Sequence, residues 1–221
     1  MRITRIVTWT VTAGLVGLTP IAIAAPSQAA ATYTTSVVAA PTETRIIYGD
    51  TLSVDVDVDS QTGSAPSGGT TTLLAQEAGS ASFVPVATTE GAYAYFTDVK
   101  PQAGTTYKVA YSGATSFNGD VYQPSESATF TVQVARKITY PSSGFVLKGK
   151  VTPDYGKKKI VIKVSKKQNK GYKKFKTIKT TSAGKYKITL PRRGGTWYWS
   201  FVVKGDDKYL ANGFVWKTFI G

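Results

Sequence analysis

The chain has 221 residues, with 27 lysines and arginines against 13 aspartates and glutamates, and neither histidine nor cysteine. That excludes Ser-His-Asp and Cys-His catalysis, thiol redox chemistry, disulfide staples and the usual zinc ligand sets. The formal charge of +14 is unevenly placed: residues 30–135 hold 3 basic and 10 acidic side chains (−7), residues 136–221 hold 22 basic and 3 acidic (+19), and Arg2 and Arg5 supply the last +2.

Residues 1–30 read as a secretory signal peptide. Arg2 and Arg5 form a positive start, and Ile6–Ala25 is mostly apolar. The small residues Ser27 and Ala29 then stand before a cleavage point. The expected localisation is secreted or extracellular, with association to a cell wall. No later stretch is apolar for the roughly 18 residues a spanning helix needs, so no transmembrane segment is expected in the mature chain. Leu190-Pro191-Arg192-Arg193-Gly194 is the nearest thing to a wall-sorting signal. It has Arg193 where a threonine belongs and reads as a strand end and turn.

From residue 31 onward, short runs rich in Val, Thr, Tyr and Phe are broken by Gly, Pro, Asn and Asp, and no stretch keeps a 3.6-residue period. Thr51–Asp59 alternates cleanly, with Leu52, Val54, Val56 and Val58 on one face and Ser53, Asp55, Asp57 and Asp59 on the other. Further strands are expected at Thr70–Gln76, Ser82–Thr88, Ala92–Asp98, Thr105–Ser112 and Ser127–Val134, with a Gly/Ser/Pro loop over Ser60–Gly69. After a short strand near Ile138–Tyr140, the basic half adds Phe145–Val151, Lys159–Lys166, Lys173–Thr180, Lys185–Leu190, Trp197–Val203 and Phe214–Phe219. Six or seven short strands per half argue for an all-β chain of two tandem sandwiches. The sign change places their boundary near Ala135–Lys137, giving an acidic unit over 31–135 and a basic unit over 136–221. No Gly/Ser spacer separates them, so the joint should be stiff.

The halves resemble each other. Tyr107-Lys108-Val109-Ala110-Tyr111-Ser112-Gly113 aligns without a gap on Trp199-Ser200-Phe201-Val202-Val203-Lys204-Gly205, and each run leads to a Gly-Asp and then a tyrosine, Gly119-Asp120 with Tyr122 and Gly205-Asp206 with Tyr209. An internal repeat of one sandwich is the economical account. On these motifs, and on Leu147-Lys148-Gly149-Lys150-Val151-Thr152-Pro153 and Gly184-Lys185-Tyr186-Lys187-Ile188-Thr189-Leu190-Pro191, the chain resembles tandem bacterial immunoglobulin-like (fibronectin type III-like) domains of secreted proteins in high-GC Gram-positive bacteria. The resemblance covers about 180 of the 221 residues and implies a spacer, adhesion or binding role with no catalytic residues, metal ligands or cofactor.

A glycosidase would need paired carboxylates across a cleft, and the basic half offers only Asp154, Asp206 and Asp207, all in expected turns. Asp55-Val56-Asp57-Val58-Asp59 opens like a calcium loop, but Ser60 stands where the turn glycine belongs and Pro66 where the bidentate glutamate belongs. These carboxylates read as a solvated strand face. In the basic half, strand phase turns Lys148, Lys150, Lys159, Lys163, Lys185 and Lys187 outward, while Lys157, Lys158, Lys166, Lys167, Lys170, Lys173 and Lys174 crowd turns and strand starts. These thirteen lysines are the candidate polyanion-binding residues, with an anionic envelope polymer or polysaccharide as partner. Nucleic acid is not expected, since no reading motif is present. Trp197, Tyr198, Trp199 and Trp216 suggest the alternative of a carbohydrate-binding module or accessory domain with surface aromatics.

Overall fold

The computed structural model describes residues 29–221. All but the last two residues of the expected secretory signal lie outside the described residues. Within them there are nineteen strands and no helix. The first part of the chain contains β1 (Thr32–Tyr33), β2 (Thr35–Pro41), β3 (Arg45–Ile47), β4 (Leu52–Ser60), β5 (Thr70–Glu77) and β6 (Val84–Glu90). It continues with β7 (Ala94–Val99), β8 (Thr105–Tyr111), β9 (Ala114–Thr115), β10 (Val121–Tyr122), β11 (Ser125–Glu126) and β12 (Phe130–Ala135). The second part contains β13 (Lys137–Ile138), β14 (Val146–Thr152), β15 (Lys159–Ser165), β16 (Lys173–Lys179), β17 (Lys185–Thr189), β18 (Gly195–Val203) and β19 (Asn212–Ile220).

These strands build the same sandwich twice. A sheet of order β2-β4-β7 faces one of order β3-β12-β8-β5-β6, and a sheet of order β13-β14-β17 faces one of order β16-β15-β18-β19. Antiparallel neighbours of this connectivity, closed face to face, make an immunoglobulin-like sandwich. The first copy adds β3, which runs parallel to β12, and a small β1-β10-β9 sheet.

Period-two alternation fills both cores. In β4, Leu52, Val54, Val56 and Val58 are buried and Asp55 and Asp57 exposed. The repeated run behaves as aligned: Tyr107, Val109 and Tyr111 of β8, and Trp199, Phe201 and Val203 of β18, are all buried. Burying each such side chain contributes roughly 1.5–3 kcal/mol, which holds the sandwiches together without a disulfide. Tyr107 stacks on Phe130 at 5.5 Å between centroids, and loss of water around its ring pushes its hydroxyl pKa up to about 12. Phe201 stacks on Phe214 at 4.6 Å.

Several elements were not expected. β2 has Val37 buried but Val38 exposed, and its alanines and Pro41 give little strand signal. β3 is only three residues long and exists through its pairing with β12, some 90 residues away in the chain. Pairing at that distance leaves no local periodicity to read.

Candidate functional site

β14 and β17 pair antiparallel, and their registered pairs include Lys148 with Lys187, Gly149 with Tyr186, and Lys150 with Lys185. Alternation sends Leu147 and Val151 of β14, and Tyr186 and Ile188 of β17, into the core. The lysines between them are therefore driven onto the outer face, two directly opposed pairs in succession. Lys137 of β13, on the other flank of β14, stands opposite Thr152. Together with Lys179, which reaches round the edge of the sandwich, the four paired lysines line a concavity of about 510 Å³.

Gly149 belongs to the floor of that concavity. A Cβ there would meet the Thr139 carbonyl oxygen at 1.8 Å and the Tyr186 hydroxyl at 2.8 Å. Its absence lets β13 lie close and lets the Tyr186 hydroxyl donate to the Thr139 carbonyl at 2.9 Å. Burial is the main cause raising the Tyr186 hydroxyl pKa above the ordinary tyrosine value, so this ring stays a neutral donor beneath the lysines.

The opposite outer face carries lysines too. Lys159 stands opposite Lys179 and Lys163 opposite Lys174, with a register shift between Ile162 and Lys163. Lys176 is also exposed on β16. All thirteen lysines singled out from the sequence are exposed, but the fold divides them among several surfaces. Lys148, Lys150, Lys185 and Lys187 share the concave face; Lys159, Lys163 and Lys174 share the other. Lys166, Lys167 and Lys170 occupy the β15–β16 loop, and Lys173 begins β16. Lys157 and Lys158 lie in the turn before β15. Only Lys158 of the thirteen is ion-paired among the described residues, with Asp206 at 2.9 Å. Lys137 and Lys179 were missed as candidates. Lys179 was legible as part of the Lys173–Thr180 strand, but its reach to the other sheet depends on how the two sheets close.

A second polar cluster forms between the sandwiches, around Arg136. This residue, the single link between β12 and β13, is 1% exposed. Its Nη2 donates to Asp206 Oδ2 at 2.6 Å and its Nε to the Pro153 carbonyl at 2.9 Å. The guanidinium carbon lies 4.3 Å from the Tyr209 ring centroid and 5.2 Å from that of Tyr155. Nη1 is buried without an acceptor, so the two ring faces provide the remaining stabilisation of the cation. Burial acts to raise the Asp206 carboxyl pKa; hydrogen bonds from Lys158 and Arg136 and the Arg136 charge outweigh it and hold the group at about 2.

Tyr209 is the counterpart of Tyr122 in the sequence repeat, yet it packs into the core of the first sandwich. Its hydroxyl donates to the Gln102 carbonyl at 3.0 Å, the Gly104 amide donates to the Lys208 carbonyl at 2.8 Å, and Leu210 forms a parallel bridge with Ala135. The repeated turn of one sandwich thus anchors it to the other.

The aromatic cluster is largely internal. Trp199 and Trp216 are buried, with the Trp199 indole donating to the Thr218 hydroxyl at 2.9 Å. Trp197 is half-buried, and the Arg193 guanidinium carbon sits 4.7 Å from its ring centroid. Trp197, Tyr198, Trp199 and Trp216 do not make a flat stacking surface here, because Trp199 and Trp216 complete the core. Asp55 and Asp57 stand side by side on the outer face of β4, opposite Tyr95 of β7 and Val38 of β2 respectively.

No protein-family model matches the chain, and no curated protein matches it. Among solved structures it is similar to the ligand-binding domain of human OSCAR (13% identity, TM-score 0.30, 83% of this chain and 97% of that one). It is similar also to the chicken interferon gamma receptor alpha chain (12% identity, TM-score 0.38, 85% of this chain and 98% of that one). A third is the native conformation of E. coli alpha-2-macroglobulin (10% identity, TM-score 0.35), of which this chain spans only 16%. At such values the class rests on the chain's own sheet order, which is that of an all-β protein of immunoglobulin-like sandwiches.

Proposed function

We propose that the chain is a non-enzymatic, exported binding and structural module, divided near Ala135–Lys137, whose basic unit is attracted to anionic polymer of a cell envelope. One observation carries this reading: three lysine pairs, 148–187, 150–185 and 163–174, stand directly opposed on the outer sheet faces. None of these lysines has a carboxylate within 4.0 Å among the described residues. Like charges in directly opposed cross-strand positions cost a few tenths of a kcal/mol or more per pair. A polyanion relieves that repulsion and gains free energy from the counterions it releases. The acidic first unit, with Asp55 and Asp57 exposed on β4, is repelled by the same polymer and is presented away from it.

The test uses the full chain and two wall preparations, one intact and one chemically stripped of its anionic polymer. The chain should co-sediment with the first and be released between about 0.05 and 0.2 M salt. Equal retention on stripped walls, or retention that salt leaves unchanged, would overturn the reading.

A further inference from the structure

We propose that the outer face of the β13-β14-β17 sheet is a cradle for a linear phosphodiester polymer with a three-carbon unit between phosphates, an inference that rests on the polyanion reading above. The geometry is that of a ladder. Lys148 opposes Lys187 and Lys150 opposes Lys185, two successive rungs between β14 and β17. Successive rungs lie two residues apart on an antiparallel strand, an interval of about 6.8 Å.

A phosphodiester chain with three carbons per unit has about six backbone bonds between phosphorus atoms. Three backbone bonds of an extended peptide span about 3.5 Å, so six span about 7 Å. Two consecutive phosphates of such a polymer therefore meet the two lysine rungs. An acidic polysaccharide with one carboxylate per two sugar rings has a longer interval and falls out of step. The other lysine-bearing face lacks this regularity, because the register shift between Ile162 and Lys163 breaks its ladder.

The lining of the concavity fits the same ligand. Lys148, Lys150, Lys179, Lys185 and Lys187 converge on it with no carboxylate among the lining residues. Each ammonium group is a compact donor suited to phosphate oxygen. Single-stranded nucleic acid has a similar backbone interval, but its binding draws on exposed aromatic faces for the bases. The one aromatic residue of the lining, Tyr186, is 4% exposed with its hydroxyl bonded to Thr139. The cradle thus suits a polymer without bases.

Two full-chain variants with the same loss of charge test the assignment: K148Q/K150Q/K185Q/K187Q on the cradle and K159Q/K163Q/K174Q/K176Q on the opposite face. Binding is measured to poly(glycerol phosphate), hyaluronate and oligothymidylate of matched charge number. The cradle variant should lose at least about tenfold in affinity for poly(glycerol phosphate), and the opposite-face variant less than about threefold. The single variants Lys150→Gln and Lys185→Gln, each expected to lose about threefold, keep the test open if a quadruple variant fails to fold. Equal losses in the two variants overturn the cradle and leave general polyanion attraction standing. Tighter binding of hyaluronate or oligothymidylate by the parent chain overturns the ligand assignment. Absence of binding to all three overturns the polyanion reading itself.

Discussion

Arg136 and Asp206 meet at 2.6 Å, with the arginine side chain 1% exposed and the aspartate side chain 35% exposed. The pair ties the one-residue link between the sandwiches to the loop that carries Tyr209 into the first core. A buried guanidinium deprived of its carboxylate is costly, and a carboxylate deprived of its guanidinium is less so when water reaches it. The two partners should therefore respond differently to substitution.

Replacing Arg136 by Gln removes the fork to Asp206 and Pro153 and leaves the space between Tyr155 and Tyr209 badly filled. A loss of about 2–3 kcal/mol is expected, read from the denaturant midpoint. Lys at the same position retains charge but cannot donate in two directions or lie flat between the rings, so it should restore less than half of that loss.

Tyr209→Ala should cost about 3 kcal/mol by emptying a site in the first core, and Tyr209→Phe about 1 kcal/mol by leaving the Gln102 carbonyl without its donor. The alanine variant should also loosen the joint. Small-angle scattering would show a larger maximum dimension or a broader distance distribution, which the phenylalanine variant should not share.

Acid should weaken the joint in a defined window. The folded Asp206 pKa of about 2 lies below its ordinary 3.8. A depressed carboxylate pKa contributes stability that is fully present above the unfolded value and lost as pH falls through the folded one. Between about pH 4 and pH 2 the chain should lose about 1 kcal/mol through this group, after discounting for its partial exposure. Asp206→Asn should flatten stability across that window, as measured by melting at successive pH values.

The lysine ladder should trade stability against binding. Lys150→Glu turns a like-charge pair with Lys185 into an opposite-charge pair, and about 0.5 kcal/mol of stabilisation is expected. Affinity for anionic polymer should fall in the same variant. Differential scanning calorimetry and polymer binding on one sample would show the two effects with opposite signs.

The strands that line the cores were legible because burial enforces a two-residue period, as in Leu52–Val58 and in the Tyr107 and Trp199 runs. The same period placed Lys148, Lys150, Lys185 and Lys187 outside. It could not show that they oppose one another in register, since pairing is a property of two distant segments. β3 escaped notice for the same reason. The joint was illegible for a different one: Tyr209 occupies the position of Tyr122 in the repeat, and nothing local distinguishes a tyrosine that packs within its own sandwich from one that reaches its neighbour. In the sequence, Ala135-Arg136-Lys137 marks only the sign change of charge, and nothing local shows that the Arg136 guanidinium lies buried between Tyr155 and Tyr209.

The most direct test of the polyanion account is the salt dependence of full-chain binding to purified anionic wall polymer. Each phosphate neutralised on a single-stranded polyanion contributes about −0.7 to the slope of log affinity against log salt. With four cradle lysines engaged, the account predicts a slope of about −3. A slope near zero, or no binding at low salt, would contradict it.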